Sequence, residues 1–478
     1  MADDLRGFIA EIDEIGELVK IDGADWNLDL GALATLNGAR PDGPAILFDN
    51  IKGYPPGYRV LTASTATPNR VAHVFGLPLN SSKMELVGLL RKRLPGWGKE
   101  TGKFAPVEVE QAPILENVQS GDQVDVFKFP TPMWHELDGG RYIGTGDSVI
   151  TMDPDTGEIN LGTYRVMISD KNTVTVYARR GTHGRIHYEK WHAQGKPCPV
   201  AVSVGQHPLI QRISNTSVPD EYSFIGAIRQ KPVQVIREEV TGLPIPADAE
   251  IVLAGFIPPG EMRSEGPFGE WLGYYAAEVA PAPALKVERI YHRNDPIILG
   301  TPNSRPPDEN TLPRVLVASA VMHNWLDESG IPDVKGVYIS EAGVRLMITV
   351  SVKQRYDGHA KQAAMLVAGS RHGDSGANMT RFVVVVDDDI DPSNVQEVLW
   401  AMCTRCDPVN DIDIIRRTWS SGLDPMIRRP ATAFYNSRAI IDACKPFEWK
   451  DEFPKEITIS PELEAKVRAM WGGLIGLK

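Results

Sequence analysis

The fold of this chain is decided by a β-rich region that contains the stretch Leu161-Gly162-Thr163-Tyr164-Arg165-Val166-Met167-Ile168-Ser169. Its β-branched and large apolar residues lack helical spacing and predict a strand. Similar runs lie at close spacing on both sides, separated by Gly, Pro, Asn and Asp: residues 148–152, 174–178, 200–205, 233–236, 250–256 and 284–291. Such a series is typical of a β-barrel or sandwich. We therefore expect a barrel or sandwich of about 200 residues with almost no helix in it.

Both flanks of this region alternate helical and strand patterns. The chain opens with an amphipathic helix that carries Leu5, Phe8, Ile9 and Ile12 on one face. After residue 333, strands alternate with helices, one of them over residues 392–402 with Asp391 as its expected N-cap. The prediction is an α+β multidomain chain with an N-terminal α/β domain (1–106), a central β-barrel domain (107–312), a connector helix (313–332) and a C-terminal α/β domain (333–478).

Composition excludes several classes of partner. The 478 residues carry a net charge of −12, and an acidic body repels nucleic acid and anionic lipid. Only one short basic cluster, residues 91–93, stands against this. No apolar stretch approaches the ~20 residues that span a bilayer, and the acidic start does not read as a secretory signal. The 4 cysteines are too few for a disulfide framework. We expect a cytoplasmic protein without nucleic-acid or membrane partners.

Two glutamates flank a segment rich in glycine and proline, Glu265-Gly266-Pro267-Phe268-Gly269-Glu270. The segment cannot form regular helix, and its glycines permit a loop that directs both carboxylates to one point. Carboxylates that share a pocket acquire unequal pKa values, so that one stays ionised while the other holds a proton near neutrality. That division suits proton delivery. The alternative is a surface turn with two solvated glutamates.

Three further stretches carry groups that bind metal or phosphate. Asn160 and Arg165 would point to opposite faces of an alternating strand and serve adjoining subsites. His183 lies between glycine-containing neighbours at a strand end, and Glu221 follows the hydroxyl-rich loop 213–217, a composition that suits phosphate. One imidazole, one carboxylate and one amide oxygen suit Mn²⁺ or Mg²⁺. Taken singly, each stretch is equally consistent with a structural role.

In combined order and spacing, these stretches resemble the UbiD-like family of prenylated-FMN-dependent decarboxylases. Residues 160–165 match the family's N-x4-R, and residues 265–270 match its E-G-P-F-G-E segment letter for letter. His183 follows the arginine at the family spacing, and Glu221 leads into a Gly-Ala pair as the family's metal-binding glutamate does. The proline-rich loop at residues 305–311 also resembles the family. Similarity therefore extends over nearly the whole chain.

The resemblance implies a central split β-barrel that holds a flavin between flanking α/β domains. It implies that a divalent ion, Mn²⁺ or Mg²⁺, anchors the phosphate of prenylated FMN, commonly with K⁺ nearby. The implied metal ligands are Asn160, His183 and Glu221. The implied catalytic network is Arg165, Glu265 and Glu270. The implied cofactor contacts are these metal ligands together with Thr163, Arg165, Thr182, Ser214, Thr216, Thr311 and Arg381, the last standing where family members often carry lysine.

The implied reaction is the non-oxidative, reversible decarboxylation of an aromatic, heteroaromatic or α,β-unsaturated carboxylic acid through a covalent prenylated-FMN adduct. The Glu-Arg-Glu network would position the carboxylate and donate the proton. Loss of CO2 from an sp² carbon needs an electron sink that no side chain supplies. A flavin prenyltransferase is implied as the supplier of the cofactor. Our candidates for the substrate wall are Trp271, Leu423 and Pro425.

Two other functions remain open at this point. A split-barrel oxidoreductase using ordinary FMN would show activity dependent on NAD(P)H and leaves the Glu-Arg-Glu set without a role. A non-catalytic subunit of a larger carboxylase complex would have degraded ligand or acid positions, whereas this chain retains all six. The apolar C-terminal helix, with Trp471 and Leu474, predicts either an internal contact or a homodimer or higher homo-oligomer.

Overall fold

The computed structural model describes residues 2–276, 278–370, 379–428 and 432–476. Its N-terminal part contains, in chain order, α1 (Leu5–Glu14), β1 (Leu18–Asp22), α2 (Asp29–Gly38), β2 (Ala45–Asp49), β3 (Arg59–Thr62), α3 (Pro68–Phe75) and α4 (Lys83–Glu100). Helix α1 buries Leu5, Phe8, Ile9 and Ile12, the apolar face that its periodicity predicts. Strands β1, β2 and β3 pair in sequence order and pack beneath the helices.

The central part is built on one large sheet. Its elements are β4 (Val107–Glu108), β5 (Asn117–Ser120), β6 (Tyr142–Gly144), β7 (Ser148–Met152), β8 (Ile159–Gly162), β9 (Arg165–Asp170), β10 (Thr173–Tyr177), α5 (His183–Ala193), β11 (Cys198–Val204), α6 (Pro208–Ile213), α7 (Glu221–Arg229), β12 (Gln234–Arg237), β13 (Pro244–Pro246), β14 (Ile251–Ile257), β15 (Met262–Glu265), β16 (Ala280–His292) and β17 (Ile297–Leu299). Eight strands follow the order β6-β9-β10-β16-β14-β11-β7-β8 and curl into a half-barrel, while β5 and β15 also pair with β16. Strand β17 instead joins β3 in the N-terminal sheet.

Two sequence-based expectations for this part are wrong. The single strand over residues 161–169 is two strands, because Thr163 leaves the ladder: its backbone N–H donates to the carbonyl of Ser214 at 3.1 Å. The near absence of helix is also wrong, since α5, α6 and α7 interrupt the strands. Helix α7 is buried on almost all sides and α5 on very few. Neither therefore displays the apolar stripe by which an amphipathic helix is recognised.

The C-terminal part forms a mixed sheet with helices around it. Its elements are α8 (Thr311–Glu328), β18 (Val334–Ile339), β19 (Met347–Val352), α9 (His359–Gly369), β20 (Phe382–Asp387), α10 (Val395–Arg405), β21 (Ile412–Trp419), β22 (Tyr435–Ala443) and α11 (Pro461–Ile475). The strands follow the order β18-β19-β20-β22-β21. Helix α10 is capped by Asn394, which accepts from two backbone N–H groups, rather than by Asp391. Asp391 instead bonds to Ser393 in the preceding turn, so the expected cap is wrong.

The chain is therefore an α+β protein with a curled central sheet, as the sequence predicts. The domain limits at residues 106, 312 and 332 stay predictions. None of the helices in the described ranges has the length and apolarity that crossing a bilayer requires.

Candidate active site

A cleft of about 390 Å³ opens at one end of the half-barrel, where the central sheet meets α8 and the C-terminal part. Its volume falls within the range of ordinary small-molecule sites, about 300–1,000 Å³. Most of the residues singled out by the sequence line it. They are Asn160, Thr163, Arg165, Thr182, His183, Ser214, Thr216, Glu221, Glu270, Trp271, Thr311 and Leu423. Segments far apart in the sequence thus converge on one cavity.

Arg165 joins two glutamates at the wall of this cleft. Its Nε and Nη2 donate to Glu265 Oε1 and Oε2, each at 2.7 Å, and its Nη1 donates to Glu270 Oε1 at 2.7 Å. The side chain of Glu265 is fully buried behind the arginine, whereas Glu270 reaches the cleft. The ring of Tyr177 covers the guanidinium, with its centroid 4.0 Å from Cζ. The alternative of two solvated surface glutamates is therefore wrong.

The local fold explains this convergence. Because the strand breaks after β8, Arg165 begins β9 and faces the same cleft as Asn160, instead of the opposite side of one continuous strand. Glu265 ends β15, and the chain then turns so that Glu270 N–H donates to the carbonyl of Tyr274 at 3.0 Å. The turn is held from inside by Phe268, which is buried and packs on Tyr142.

The three charged groups differ in their electrostatics. Burial raises the pKa of Glu270 above its usual range, and the positive charges of Arg165 and Arg179 offset part of that rise. Burial by itself lowers the pKa of Arg165, but its hydrogen bonds and attraction to Glu265 and Glu270 outweigh that effect and raise it overall. The arginine is thus permanently charged, and Glu270 is the glutamate at the cleft wall that retains a proton at higher pH than an exposed carboxyl.

The second polar group is Asn160, His183 and Glu221. Asn160 Nδ2 lies 3.5 Å from Thr151 Oγ1, an orientation that leaves Oδ1 for a ligand. Glu221 is the first residue of α7, and its carboxylate interacts with its own backbone N–H and accepts from the backbone N–H of Leu161 at 3.3 Å. Burial raises the pKa of its carboxyl to about 7. A buried carboxylate with so few donors suits a cation, which would compensate its charge.

The described residues hold no cluster of three or more His, Cys, Asp or Glu side chains that could bind a metal. The group at Asn160 contains only two residues of those types, so the metal site stays a prediction. The chemistry of the donor set still fits a divalent ion, since neutral imidazole, amide oxygen and carboxylate are all suitable ligands.

The remaining wall of the cleft carries further polar residues. Ser214 and Thr216 follow α6, and both side chains line the cleft. Gln211 also lines it, and its amide oxygen and nitrogen are buried without a partner among the described residues. A buried amide of this kind needs a hydrogen-bond partner, which a bound ligand or an ordered water can supply. Gln211 was not identified from the sequence, since a glutamine within a short apolar helix carries no distinguishing signal.

Three predicted residues do not line the cleft. Glu265 lies buried behind Arg165, Arg381 donates to Asp424 Oδ1 at 2.7 Å, and Pro425 is exposed. Leu423 does line the cleft. The assignments of Arg381 to the cofactor and of Pro425 to the substrate stay predictions without a cleft contact.

The cleft also contains a cation that the sequence did not reveal. The Arg345 guanidinium lies over the ring of Trp271, with Cζ 3.7 Å from the centroid. It arrives from the turn after β18, where Val344 and Arg345 both have positive φ angles, 53° and 59°. Backbone in that region is rare for residues other than glycine. No sequence pattern could have indicated it.

Comparison with known proteins identifies the family. Three family models match successive parts of the chain: the N-terminal domain of 3-octaprenyl-4-hydroxybenzoate carboxy-lyase over residues 9–90, its Rift-related domain over 105–306 and its C-terminal domain over 314–443. These are the three parts of UbiD proteins.

Individual relatives agree. A pyrrole-2-carboxylic acid decarboxylase of Pseudomonas aeruginosa is 32% identical over 85% of this chain and 84% of its own. A phenolic acid decarboxylase of Sedimentibacter hydroxybenzoicus is 32% identical over 93% and 92%. The UbiD-class enzyme HmfF from Pelotomaculum thermopropionicum, in complex with FMN, superposes with a TM-score of 0.85 at 26% identity over 97% and 98%. Its evolved dimeric form in complex with prFMN gives 0.79 at 25% identity over 97% and 98%. With three matching domains and relatives of this identity, the chain belongs to the UbiD family of carboxy-lyases.

Proposed function

We propose that this protein catalyses the reversible, non-oxidative decarboxylation of an aromatic, heteroaromatic or α,β-unsaturated carboxylic acid with prenylated FMN. The main observation in support is that two buried glutamates hold Arg165 at the wall of a cleft of suitable size. Family membership supports it, because relatives are named as decarboxylases of aromatic acids and one UbiD-class neighbour holds prFMN.

Loss of CO2 leaves an electron pair on the substrate carbon, and bound prenylated FMN would supply the electron sink that accepts it. Arg165 orients the substrate carboxylate, for which a planar guanidinium provides matched donors. Glu265 fixes the arginine in that plane through its two parallel hydrogen bonds. Glu270 then gives its proton to the carbon that has lost CO2, a role that suits a carboxyl whose pKa burial raises. Water restores the proton afterwards.

The cofactor's phosphate is assigned to the other end of the cleft. Asn160, His183 and Glu221 would hold Mn²⁺ or Mg²⁺ against it, with K⁺ as a further ion in the vicinity. Ser214 and Thr216 line the cleft beside this group, where their hydroxyls donate to the carbonyls of Ile210 and Arg212. Since the flavin must arrive already prenylated, a flavin prenyltransferase is the supplying enzyme.

We also propose that the protein forms a homodimer or higher homo-oligomer through α11. This helix leaves apolar side chains uncovered along one stripe, among them Leu463, Met470 and Leu474. The internal contact that the sequence left open is not made by these three side chains, which are all exposed. A second copy of the same stripe would cover them.

The decisive experiment co-expresses the chain with a flavin prenyltransferase and records absorption and mass spectra of the purified protein. A panel of pyrrole, phenolic and acrylic acids is then assayed for CO2 release and for deuterium incorporation at the position of the lost carboxyl. We expect activity only in protein that carries the prenylated cofactor. Activity with ordinary FMN that consumes NAD(P)H would instead establish an oxidoreductase.

A further inference from the structure

The two glutamates on Arg165 are not equivalent. Glu265 accepts three hydrogen bonds: two from the arginine, at 2.7 Å each, and one from the hydroxyl of Tyr142 at 2.9 Å. Glu270 accepts only one from the arginine, at 2.7 Å. Hydrogen bonds to an ionised carboxylate favour that form. The two carboxyls therefore differ in their donors, because only Glu265 accepts from the tyrosine hydroxyl and from a second arm of the arginine.

Tyr142 is held rigidly for this contact. It belongs to β6, which pairs with β9 and so places the tyrosine beside the strand that carries Arg165. Its own carbonyl accepts from Trp134 Nε1 at 3.2 Å, its ring packs on Phe268 with centroids 4.4 Å apart, and the whole residue is buried. The hydroxyl lies within 3.5 Å of the Pro267 carbonyl as well.

We propose that Tyr142 is a positioning residue that keeps Glu265 as the permanent anionic partner of Arg165, so that Glu270 carries the proton delivered in the reaction. The proposal rests on the proposed function and deepens it. In the step concerned, the O–H bond of Glu270 breaks while a C–H bond forms at the carbon that lost CO2. Glu270 becomes the carboxylate and is reprotonated by water.

The charged groups around Glu265 support this division. Arg165 faces it from β9 and Tyr142 from β6, while Asp138 acts on the tyrosine from the preceding loop. Glu270 and Arg179 complete the set on the cleft side. Burial raises the pKa of Tyr142, and the negative charge of Glu265 raises it further, so the phenol stays a donor at every working pH.

Removing the phenol hydroxyl should let Glu265 compete for the proton. A hydrogen bond to a charged group is worth enough that its loss raises the pKa of the carboxyl by about one unit. In the active enzyme, a protonated Glu265 no longer holds Arg165, so any loss of kcat/KM at the acid end of the pH profile should begin at higher pH in the variant than in the wild type. A tyrosine that merely fills space would lower turnover equally at every pH.

The test compares Tyr142→Phe with the wild type in two ways. Infrared titration of the full-length chain without added flavin follows the carboxyl band that disappears on Glu265→Gln. The pH dependence of kcat/KM is measured on flavin-loaded protein, including a Tyr142→Phe/Glu265→Gln double variant. The control is Tyr275→Phe, because the Tyr275 hydroxyl donates to Asp138 at 3.2 Å and does not contact Glu265.

We expect the Glu265 band to appear at higher pH in Tyr142→Phe and to be unmoved in Tyr275→Phe. In protein that already carries Glu265→Gln, adding Tyr142→Phe should not change the pH dependence of kcat/KM further. An unmoved band in Tyr142→Phe overturns the proposal. If that variant does not fold, 3-fluorotyrosine at position 142, a stronger donor, should move the band to lower pH. Absence of decarboxylation in the loaded wild type would refute the proposed function alone, since the flavin-free titration still decides the role of Tyr142.

Discussion

Glu265 and Arg165 are joined by two parallel hydrogen bonds of 2.7 Å, with the carboxylate wholly buried and the guanidinium nearly so. Burying two charges costs desolvation that their attraction only partly returns, so such a pair is weak evidence of stabilisation. The pair instead fixes geometry, because two parallel hydrogen bonds to a planar guanidinium allow only one orientation of the arginine. Arg165 is therefore presented to the cleft in a fixed plane.

Replacing Arg165 with lysine should lower kcat/KM for decarboxylation by about 100-fold or more, since a point charge cannot bond both glutamates and the substrate carboxylate in one plane. Steady-state kinetics with the preferred acid measure this. The matched control is Arg185→Lys, a residue of α5 whose guanidinium bonds Glu189 outside the cleft. Similar activity in both variants would remove Arg165 from substrate orientation.

Replacing Glu270 with glutamine should abolish proton delivery, with turnover falling by about 100-fold to 10,000-fold while flavin content is unchanged. Glutamine has the same shape but no acidic proton. Glu261→Gln serves as control, because Glu261 pairs with Arg263 at the start of the same hairpin. Near-normal turnover in Glu270→Gln would exclude it as the acid.

The pH dependence of the wild type follows from the direction of the Glu270 shift. Burial raises its pKa, so the protonated form persists to higher pH than in an exposed glutamate. Turnover that needs this form declines as pH rises through the raised pKa. The alkaline limb should disappear in Glu270→Gln, which a pH profile of the residual activity can establish.

The sequence predicts those features of the site that are set by local residue order. The segment at Glu265–Glu270 had to be a loop because of its glycines and proline. The alternating pattern, by contrast, predicts Asn160 and Arg165 on opposite faces of a strand, whereas both line one cleft. It missed the strand break at Thr163, since that break depends on a hydrogen bond to Ser214, far along the chain. Contacts made only after folding leave no mark on local pattern.

The sequence did not reveal residues that reach the site from other parts of the fold. Gln211 sits in a six-residue helix and Arg345 in a turn with positive φ angles, and neither has a periodic neighbour that would indicate its direction. Tyr142 lies outside every strand that the sequence predicts. Its hydroxyl gains significance only because β6 and the loop after β15 approach each other in space.

Replacing Glu221 with glutamine should weaken binding of Mn²⁺ by at least about tenfold, since the carboxylate charge is lost while the shape is retained. Flavin retention should fall with it if the ion anchors the phosphate. Metal analysis and flavin absorbance per chain measure both. Exposed Glu158, two residues before Asn160, gives the control Glu158→Gln. Full flavin content in metal-free protein would contradict this anchoring.

Helix α11 carries exposed apolar residues at spacings of four, three and four, Leu463, Val467, Met470 and Leu474. This pattern is typical of a helix that packs against another helix. Replacing Met470 with aspartate should shift the protein to a lower oligomeric state in light scattering. Arg468→Ala should not, because this side chain bonds Glu464 on the side of the helix away from the apolar stripe. An unchanged mass for the aspartate variant would show that α11 does not hold the copies together.

Arg381 offers a clear choice between two roles. Asp424 accepts from Arg381 at 2.7 Å, from Ser420 at 2.7 Å and from Asn436 at 2.9 Å. Burial tends to raise the pKa of Asp424, but these donors outweigh it and lower the pKa to about 2. Because its pKa is lowered, ionised Asp424 stabilises the folded state at pH values above the ordinary aspartate pKa. This stabilisation disappears as the pH falls toward about 2.

If Arg381 acts through this pair, Arg381→Gln should lower the free energy of unfolding near neutral pH by about 1–3 kcal/mol and leave flavin content unchanged. The deficit should shrink as acid protonates Asp424, because the charge that the arginine stabilises is then gone. Denaturant unfolding at several pH values, alongside flavin absorbance, measures both. Loss of flavin at unchanged stability would instead place Arg381 on the cofactor, by movement of the C-terminal sheet toward the cleft.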